Sequence, residues 1–469
     1  MIVQIGSRQE IPMGNKVYLQ TFGCQMNVYD SERLKSLLLS DGHRITRNPE
    51  DADIIVLNTC SVREKAERRA LGRLSEFYRY KQKNPETMLV VVGCMAQRMG
   101  GELVEQMPYL DLVLGPDQIF QLPAYLQNHQ DFARVAVCCS RQDFDSQKIW
   151  EQNILPERKT PFTSFVAISR GCDNFCSYCV VPYVRGPERH RPTDQIIREI
   201  QLLAQSGCKE VTLIGQNVNS YRFEGKDFAD LLQLVNDETS IDWIRFMTSH
   251  PKDLSQKLIN KIAALPKVCE HIHLPLQSGS DRILEKMNRG YTSNDYLKLV
   301  ERIKKRIEHV SISTDAIVGF PSETRKDFEK TLDMMKKVRF DSAFMFRYSV
   351  REGTKAASFV DDVPEEEKLK RLHILIGLQK QISKNKNQQL LGNTFQVLVD
   401  ERSKRDKDKW KGKTKANKTV IIEGDEGILG KIVSLKVNEA DSFTLFGNVQ
   451  EHSLEKNIWF SSNSKEEKV

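Results

Sequence analysis

Three times in the first hundred residues an apolar run of strand length stops at a cysteine. Val17–Gly23 leads to Cys24, Ile54–Thr59 to Cys60 and Leu89–Gly93 to Cys94. Each run is β-rich. Each is followed by a helical stretch: Ser31–Leu39, Val62–Lys81 and Ala96–Met107. Alternation of this kind predicts a parallel sheet with crossover helices. The three cysteines then fall at the carboxyl ends of parallel strands, on the edge where open α/β sheets bind ligands. Neighbouring strands lie about 4.8 Å apart, so three thiolates there can converge on one inorganic cluster. The following helix N-termini favour the thiolate forms. One cysteine at a strand end is usually just a small buried residue. Three in the same structural position point to ligands.

A second set sits in Arg170-Gly171-Cys172-Asp173-Asn174-Phe175-Cys176-Ser177-Tyr178-Cys179, at C-x3-C-x2-C spacing, directly after the apolar run Phe165–Ile168. Iron–sulfur clusters are usually held by four thiolates. Here three are local, and the next cysteine, Cys208, lies beyond a predicted helix. An iron with an open position is a reactive iron, by the logic that keeps catalytic zinc sites open. The competing reading is a zinc site on Cys172, Cys176, Cys179 and His190.

At 469 residues the chain is long enough for two or three domains. Ten cysteines without a recognisable leader in Met1–Lys16 argue for metal or catalytic use rather than a disulfide framework. No apolar run approaches membrane-spanning length, so a cytoplasmic protein with no membrane partner is expected. The net charge of +7 favours an anionic partner.

The middle of the chain alternates again. Strands are expected at Phe165–Arg170, Val211–Gln216, Trp243–Thr248, His271–Gln277, Val310–Val318 and Ser342–Tyr348, with amphipathic helices between them. Six β/α units are too few for a full eight-stranded barrel and suit an open partial (β/α)6 barrel. Polar groups at the strand ends, Gln216, Gln277, Asp315 and Arg347, are candidates to hold a cofactor. Arg185, Arg189, His190 and Arg191 follow the cysteine loop and suggest an anion. Cys138, Cys139, Cys208 and Cys269 read as structural. After a long helix from Pro364 to about Leu391, short strands at Thr394–Asp400, Thr419–Glu423, Lys431–Val437 and Phe443–Val449 predict a small five-stranded β-barrel. Between the first two lies a lysine-rich run, Glu401–Lys415, read as an RNA-contacting loop. Ser461–Val469 reads as a disordered tail.

Taken together these features resemble the radical S-adenosylmethionine (SAM) methylthiotransferases, and within them those acting on N6-dimethylallyladenosine in tRNA. The resemblance rests on Thr21–Asn27, Asn58–Arg63, Gly93–Arg98, Ser169–Cys179, Thr248–Pro251 and His273–Ser280. It implies three domains: an N-terminal α/β domain at 14–132, a radical SAM core at 158–388 and a TRAM RNA-binding barrel at 391–454. It implies two 4Fe-4S clusters. The one on Cys172, Cys176 and Cys179 cleaves SAM to a 5′-deoxyadenosyl radical. The one on Cys24, Cys60 and Cys94 handles sulfur. The implied substrate is the isopentenylated adenosine at position 37, in the anticodon loop of tRNA, methylthiolated at C2. An external electron donor such as flavodoxin or ferredoxin is implied as well. Alternatives are threonylcarbamoyladenosine in tRNA, an aspartate of a ribosomal protein, or a non-catalytic zinc and RNA-binding protein.

Overall fold

The computed structural model describes residues 14–61, 64–127, 136–139 and 155–450. The stretch before Gly14, residues 128–135 and 140–154, and the expected tail lie outside the described residues. Two compact units are formed. One runs as far as Glu157 and takes in Tyr183–Arg185; the other comprises Arg158–Pro182 and the chain from Gly186 onward.

The first unit is a six-stranded sheet of β1 (Lys16–Thr21), β2 (Arg44–Thr46), β3 (Ile54–Thr59), β4 (Met88–Gly93), β5 (Leu112–Leu114) and β6 (Ala136–Cys138). The order is β2-β1-β3-β4-β5-β6 and every pairing is parallel. All six residues of β3 are buried, as expected for a parallel strand covered on both faces. Ile55, Leu57, Val91 and Val113 pack against Leu74, Phe77 and Tyr80 of the helix Glu64–Lys83. The sequence reading missed β2 and β5, which are only three residues long. The short strand that the sequence suggests over Arg134–Cys139 is found as β6, where Ala136–Cys138 pairs with β5. The helix expected over Ala96–Met107 is broken at Gly100, whose φ of +49° ends one short helix, Cys94–Met99, and begins another, Gly101–Gln106.

In the second unit β7 (Thr163–Ala167) is followed by the short antiparallel pair β8 (Ser169–Arg170) and β9 (Arg189–His190). Then come β10 (Glu210–Ile214), the small hairpin of β11 (Arg222–Phe223) and β12 (Lys226–Asp227), and β13 (Trp243–Phe246). Strands β14 (His271–His273), β15 (Ser311–Val318) and β16 (Ser342–Arg347) complete the core. Six strands form two parallel sheets, β13-β10-β7 and β14-β15-β16. This is the open (β/α)6 architecture. Its helices are amphipathic: Thr193–Gln205 buries Ile196, Ile197, Ile200 and Leu203. Capping boxes on Asp227, Thr292 and Thr324 start three of the others.

The helix Glu365–Gln388 leads into a closed barrel of β17 (Thr394–Arg402), β18 (Lys409–Thr414), β19 (Thr419–Glu423), β20 (Ile432–Ala440) and β21 (Thr444–Val449), in the order β17-β18-β19-β21-β20. The lysine-rich run is a loop only over residues 403–408. Lys409–Thr414 is the second barrel strand, and its Lys-Trp-Lys-Gly-Lys-Thr sequence alternates as a strand must. Trp410, Gly412 and Thr414 face in, and Trp410 joins Val397, Val420 and Leu435 in the barrel core. Lys411 pairs with Glu401 at 2.6 Å and Lys409 with Glu423 at 2.9 Å. Lysines held by carboxylates in this way are poorer phosphate ligands than a free loop supplies. The barrel packs on the core through Leu398, which meets Trp243 and Cys269.

Candidate active site

In the first unit the strand register brings the cysteines together. Thr59 pairs with Gly93, so Cys60 and Cys94 leave adjacent strands at the same level. Cys24 caps the helix Gln25–Ser40 three residues after Thr21, which pairs with Asn58. Asn27 ties two of the exits to one another: its side-chain amide donates to Phe22 O at 2.9 Å and to Thr59 O at 2.8 Å. Asn58 donates in turn to Asn27 O and to Ser31 Oγ. Gly23 is required at its position. Its φ is +122°, and an added Cβ would sit 2.3 Å from Cys60 Cβ.

The three thiols interact electrostatically. A hydrogen bond from the Cys60 thiol, helped by the Arg185 charge and the Asn27 and Met26 amides, outweighs burial and lowers the Cys24 pKa to about 6. Burial raises that of Cys94, although Arg185 Nε donates to its sulfur at 3.3 Å. At Cys24 the helix-terminal amides of Asn27 and Met26 act behind the Cys60 hydrogen bond, and at Cys94 burial prevails. Arg185 is itself buried. Burial opposes its charge, but Cys94, Asp30 and Cys24 outweigh that and its pKa is raised.

In the second unit Cys172, Cys176 and Cys179 lie on a loop clamped from two sides. Gly171, φ +80°, turns the chain where an added Cβ would meet Pro187 O at 2.0 Å. Cys172 N donates to Gly186 O, and Asn174 Nδ2 to Cys172 Sγ at 3.4 Å. On the other side Ser177 N donates to Met287 O and Ser177 Oγ to Lys286 O. Asn288 Nδ2 reaches Phe175 O at 3.0 Å, and Arg289 Nη1 donates to Cys176 Sγ at 3.2 Å. Burial, followed by the Cys176 charge, pushes Cys179 up to about 12. One zinc ion gathers its ligands within about 2.0–2.3 Å of a single point. Among the described residues no three His, Cys, Asp or Glu side chains are gathered closely enough to hold one ion. Thiolates on a four-iron cluster each bind a different iron and stand further apart.

The polar candidates at the strand ends fare differently. Gln216 follows β10, and its buried Oε1 accepts no hydrogen bond; Ser169 Oγ and Ser249 Oγ, beyond β7 and β13, are also buried without partners. Gln277 holds a left-handed φ of +69°, with its amide bonded to Asp315 O, a conformation that concentrates at functional sites. Asp315 lies 3.5 Å from His273 Nε2. Arg347 is ion-paired with Glu365. Asn217 is engaged by Asp253 and the His250 amide. Arg191 pairs with Glu199. Sequence reasoning missed Asn27, Asp30 and Arg289. For Arg289 the only signal was its place in Met287–Gly290, after a helix stops.

The uncharacterized protein family UPF0004 matches residues 16–115, the radical SAM superfamily residues 166–335 and the TRAM domain residues 388–449. The chain is 46% identical over 444 residues to a tRNA-2-methylthio-N(6)-dimethylallyladenosine synthase of Caldicellulosiruptor saccharolyticus, covering 93% of each. The chain belongs to the tRNA-2-methylthio-N(6)-dimethylallyladenosine synthase family. A Clostridium botulinum member of that family is 44% identical over 458 residues, 95% of this chain and 99% of the relative. The fold is similar to that of the radical S-adenosylmethionine methyltransferase TsrM from Kitasatospora setae. There the TM-score is 0.55 at 14% identity, over 73% of this chain and 75% of that one.

Proposed function

We propose that the protein methylthiolates C2 of an N6-dimethylallyladenosine in the anticodon loop of tRNA, using SAM and two 4Fe-4S clusters. The observation that carries this reading is the pair of separate cysteine triads, each at the carboxyl edge of a parallel sheet, in a chain 46% identical to a synthase of that name. Cys24, Cys60 and Cys94 hold one cluster; Cys172, Cys176 and Cys179 hold the other. The donor sets fit: three thiols each, with one guanidinium N–H on a sulfur of each set. When bound, the clusters supply the electron that cleaves SAM and the sulfur that is transferred. A C2–H is too weakly acidic for a protein base, so a radical cofactor must carry the hard step.

The chain's own residues bind and position. The unpartnered polar atoms of Ser169, Gln216 and Ser249 offer SAM hydrogen-bond sites at the ends of three strands; Gln277 and Asp315, joined to each other by a backbone bond in the second sheet, are further candidates. Arg347 is held by Glu365 and contributes only where that pair opens. A base in an anticodon loop is single-stranded and can be splayed into such a pocket. The barrel at about 391–454 grips the RNA, the core spans 158–388 and the sulfur domain 14–132. Electrons come from a small external carrier of the flavodoxin or ferredoxin type, in the cytoplasm. Among the described residues no helix is long and apolar enough to cross a membrane.

Replacing each triad by alanine tests the assignment. Each triple variant should keep about half of roughly eight irons per chain. Only the variant lacking Cys172, Cys176 and Cys179 should lose 5′-deoxyadenosine formation. If that variant still makes 5′-deoxyadenosine, the assignment is wrong.

A further inference from the structure

Two buried guanidinium groups each direct an N–H at one sulfur of one triad. Arg185 Nε stands 3.3 Å from Cys94 Sγ in the first unit. Arg289 Nη1 stands 3.2 Å from Cys176 Sγ in the second. Both side chains are almost wholly buried, and a buried charge is tolerated only when its surroundings answer it.

The two answers differ. Arg185 Nη2 donates to Asn27 Oδ1 at 2.8 Å and to Asp30 Oδ2 at 3.2 Å, and the Asp30 side chain is fully buried. Arg289 Nε donates to the Tyr291 hydroxyl at 3.0 Å and Nη2 to Pro275 O at 3.3 Å. Nη1 lies 3.5 Å from the Tyr178 hydroxyl, and the guanidinium stacks 5.3 Å from the Tyr291 ring centroid. Apart from the sulfur these partners are neutral, and among the described residues no carboxylate pairs with Arg289. Each triad therefore receives one guanidinium N–H on a sulfur, beside the Met26 and Asn27 amides at Cys24 and the Asn174 amide at Cys172, but only the guanidinium at Cys176 goes unanswered by a carboxylate.

Cluster potentials follow net charge and hydrogen bonds to sulfur. Reduction adds a negative charge, which a fixed cation in a low-dielectric interior favours. N–H donors reach the sulfurs of both triads, so what separates the two is the charge of the guanidinium. We propose that Arg289 and the Arg185–Asp30 pair are positioning residues that set the order of reduction. Arg289 makes the cluster on Cys172, Cys176 and Cys179 the easier to reduce, and Asp30 keeps the cluster on Cys24, Cys60 and Cys94 oxidised. One electron passes from a low-potential donor, which is oxidised, to the first cluster, which is reduced; no proton moves. This inference rests on the ligand assignment proposed above.

The test is a potentiometric titration of the reconstituted full chain, followed by electron paramagnetic resonance with dithionite as reductant. Signals are assigned with the two alanine triples. In the unaltered protein the Cys172 cluster should reduce first. Asp30→Asn keeps the shape and the acceptor but removes the negative charge. It should raise the reduced-to-oxidised ratio of the Cys24 cluster at least tenfold at fixed potential, about 59 mV for a one-electron couple. Arg289→Met should lower the ratio of the Cys172 cluster at least tenfold, and Arg289→Lys should recover most of it. Full iron loading with neither ratio moved overturns the inference, as does a Cys24 cluster that reduces first. Loss of iron in all three variants also overturns it, since the charges would then only hold the chain. Failure of the ligand assignment looks different: the unaltered protein loads too little iron, or an alanine triple keeps it all.

Discussion

Arg245 joins the barrel to the partial-barrel core, and its removal has a calculable cost. It stands in β13 with its side chain buried. Nε donates to Glu210 Oε2 at 2.7 Å, Nη1 to Lys415 O at 2.8 Å and Nη2 to Thr414 O at 2.7 Å. Both carbonyls lie at the end of β18. Arg245→Met keeps most of the volume but leaves the buried Glu210 carboxylate without its cation. Removing one partner of a buried pair costs about 3–5 kcal/mol, and each stranded carbonyl adds about 1 kcal/mol where water does not replace the donor. A loss of roughly 4 kcal/mol, against an unfolding entropy of about 2.1 cal/mol/K per residue, lowers the Tm of a unit this size by about 5–8 °C. Calorimetry on the reconstituted protein measures the drop, and limited proteolysis should release the barrel first. Arg245→Met combined with Glu210→Gln should recover about 2 kcal/mol or more, because the unpaired charge is gone. A single-variant cost below about 1 kcal/mol, or a double variant no better than the single, would refute this account of how the barrel is held.

Gly23→Ala should halve the iron content and leave 5′-deoxyadenosine formation in place, because the new methyl group would push into Cys60 and the other cluster is untouched; iron analysis beside a SAM-cleavage assay checks both. His250 is kept neutral by burial and by the Arg289 and Lys252 charges, with its pKa lowered from 6.5 to about 2. Its neutral form is the one the fold prefers, so its contribution is complete above about pH 6.5 and is lost as pH falls toward the folded pKa. Between pH 7 and 5.5 this amounts to about 1 kcal/mol. Urea unfolding of the unaltered protein and of His250→Asn at both pH values should show that difference only in the former.

What the sequence disclosed was local. The triads could be found because each cysteine ends its own strand or lies within one ten-residue loop, and spacing alone reports that. Arg185 and Arg289 could not be tied to their sulfurs. They reach Cys94 and Cys176 from 91 and 113 residues away along the chain, and no periodicity encodes such a return. β18 was hidden by its charge. Three lysines in six residues read as part of an RNA-contacting loop, yet the alternation that buries Trp410, Gly412 and Thr414 was present in the same letters. β2 and β5 carry too few residues for a pattern, and their place is set by backbone pairing with longer neighbours. The helix break at Gly100 was visible as Gly100-Gly101 but was outweighed by the apolar residues around it.

The most direct measurement is mass spectrometry of nucleosides from tRNA carrying N6-dimethylallyladenosine, after incubation with the reconstituted protein, SAM and dithionite. The account predicts conversion to the 2-methylthio nucleoside, with 5′-deoxyadenosine formed alongside, and no conversion by either alanine triple. No methylthio nucleoside from this tRNA by a protein carrying both clusters would contradict it, all the more if tRNA bearing threonylcarbamoyladenosine, or a ribosomal-protein aspartate, were modified instead.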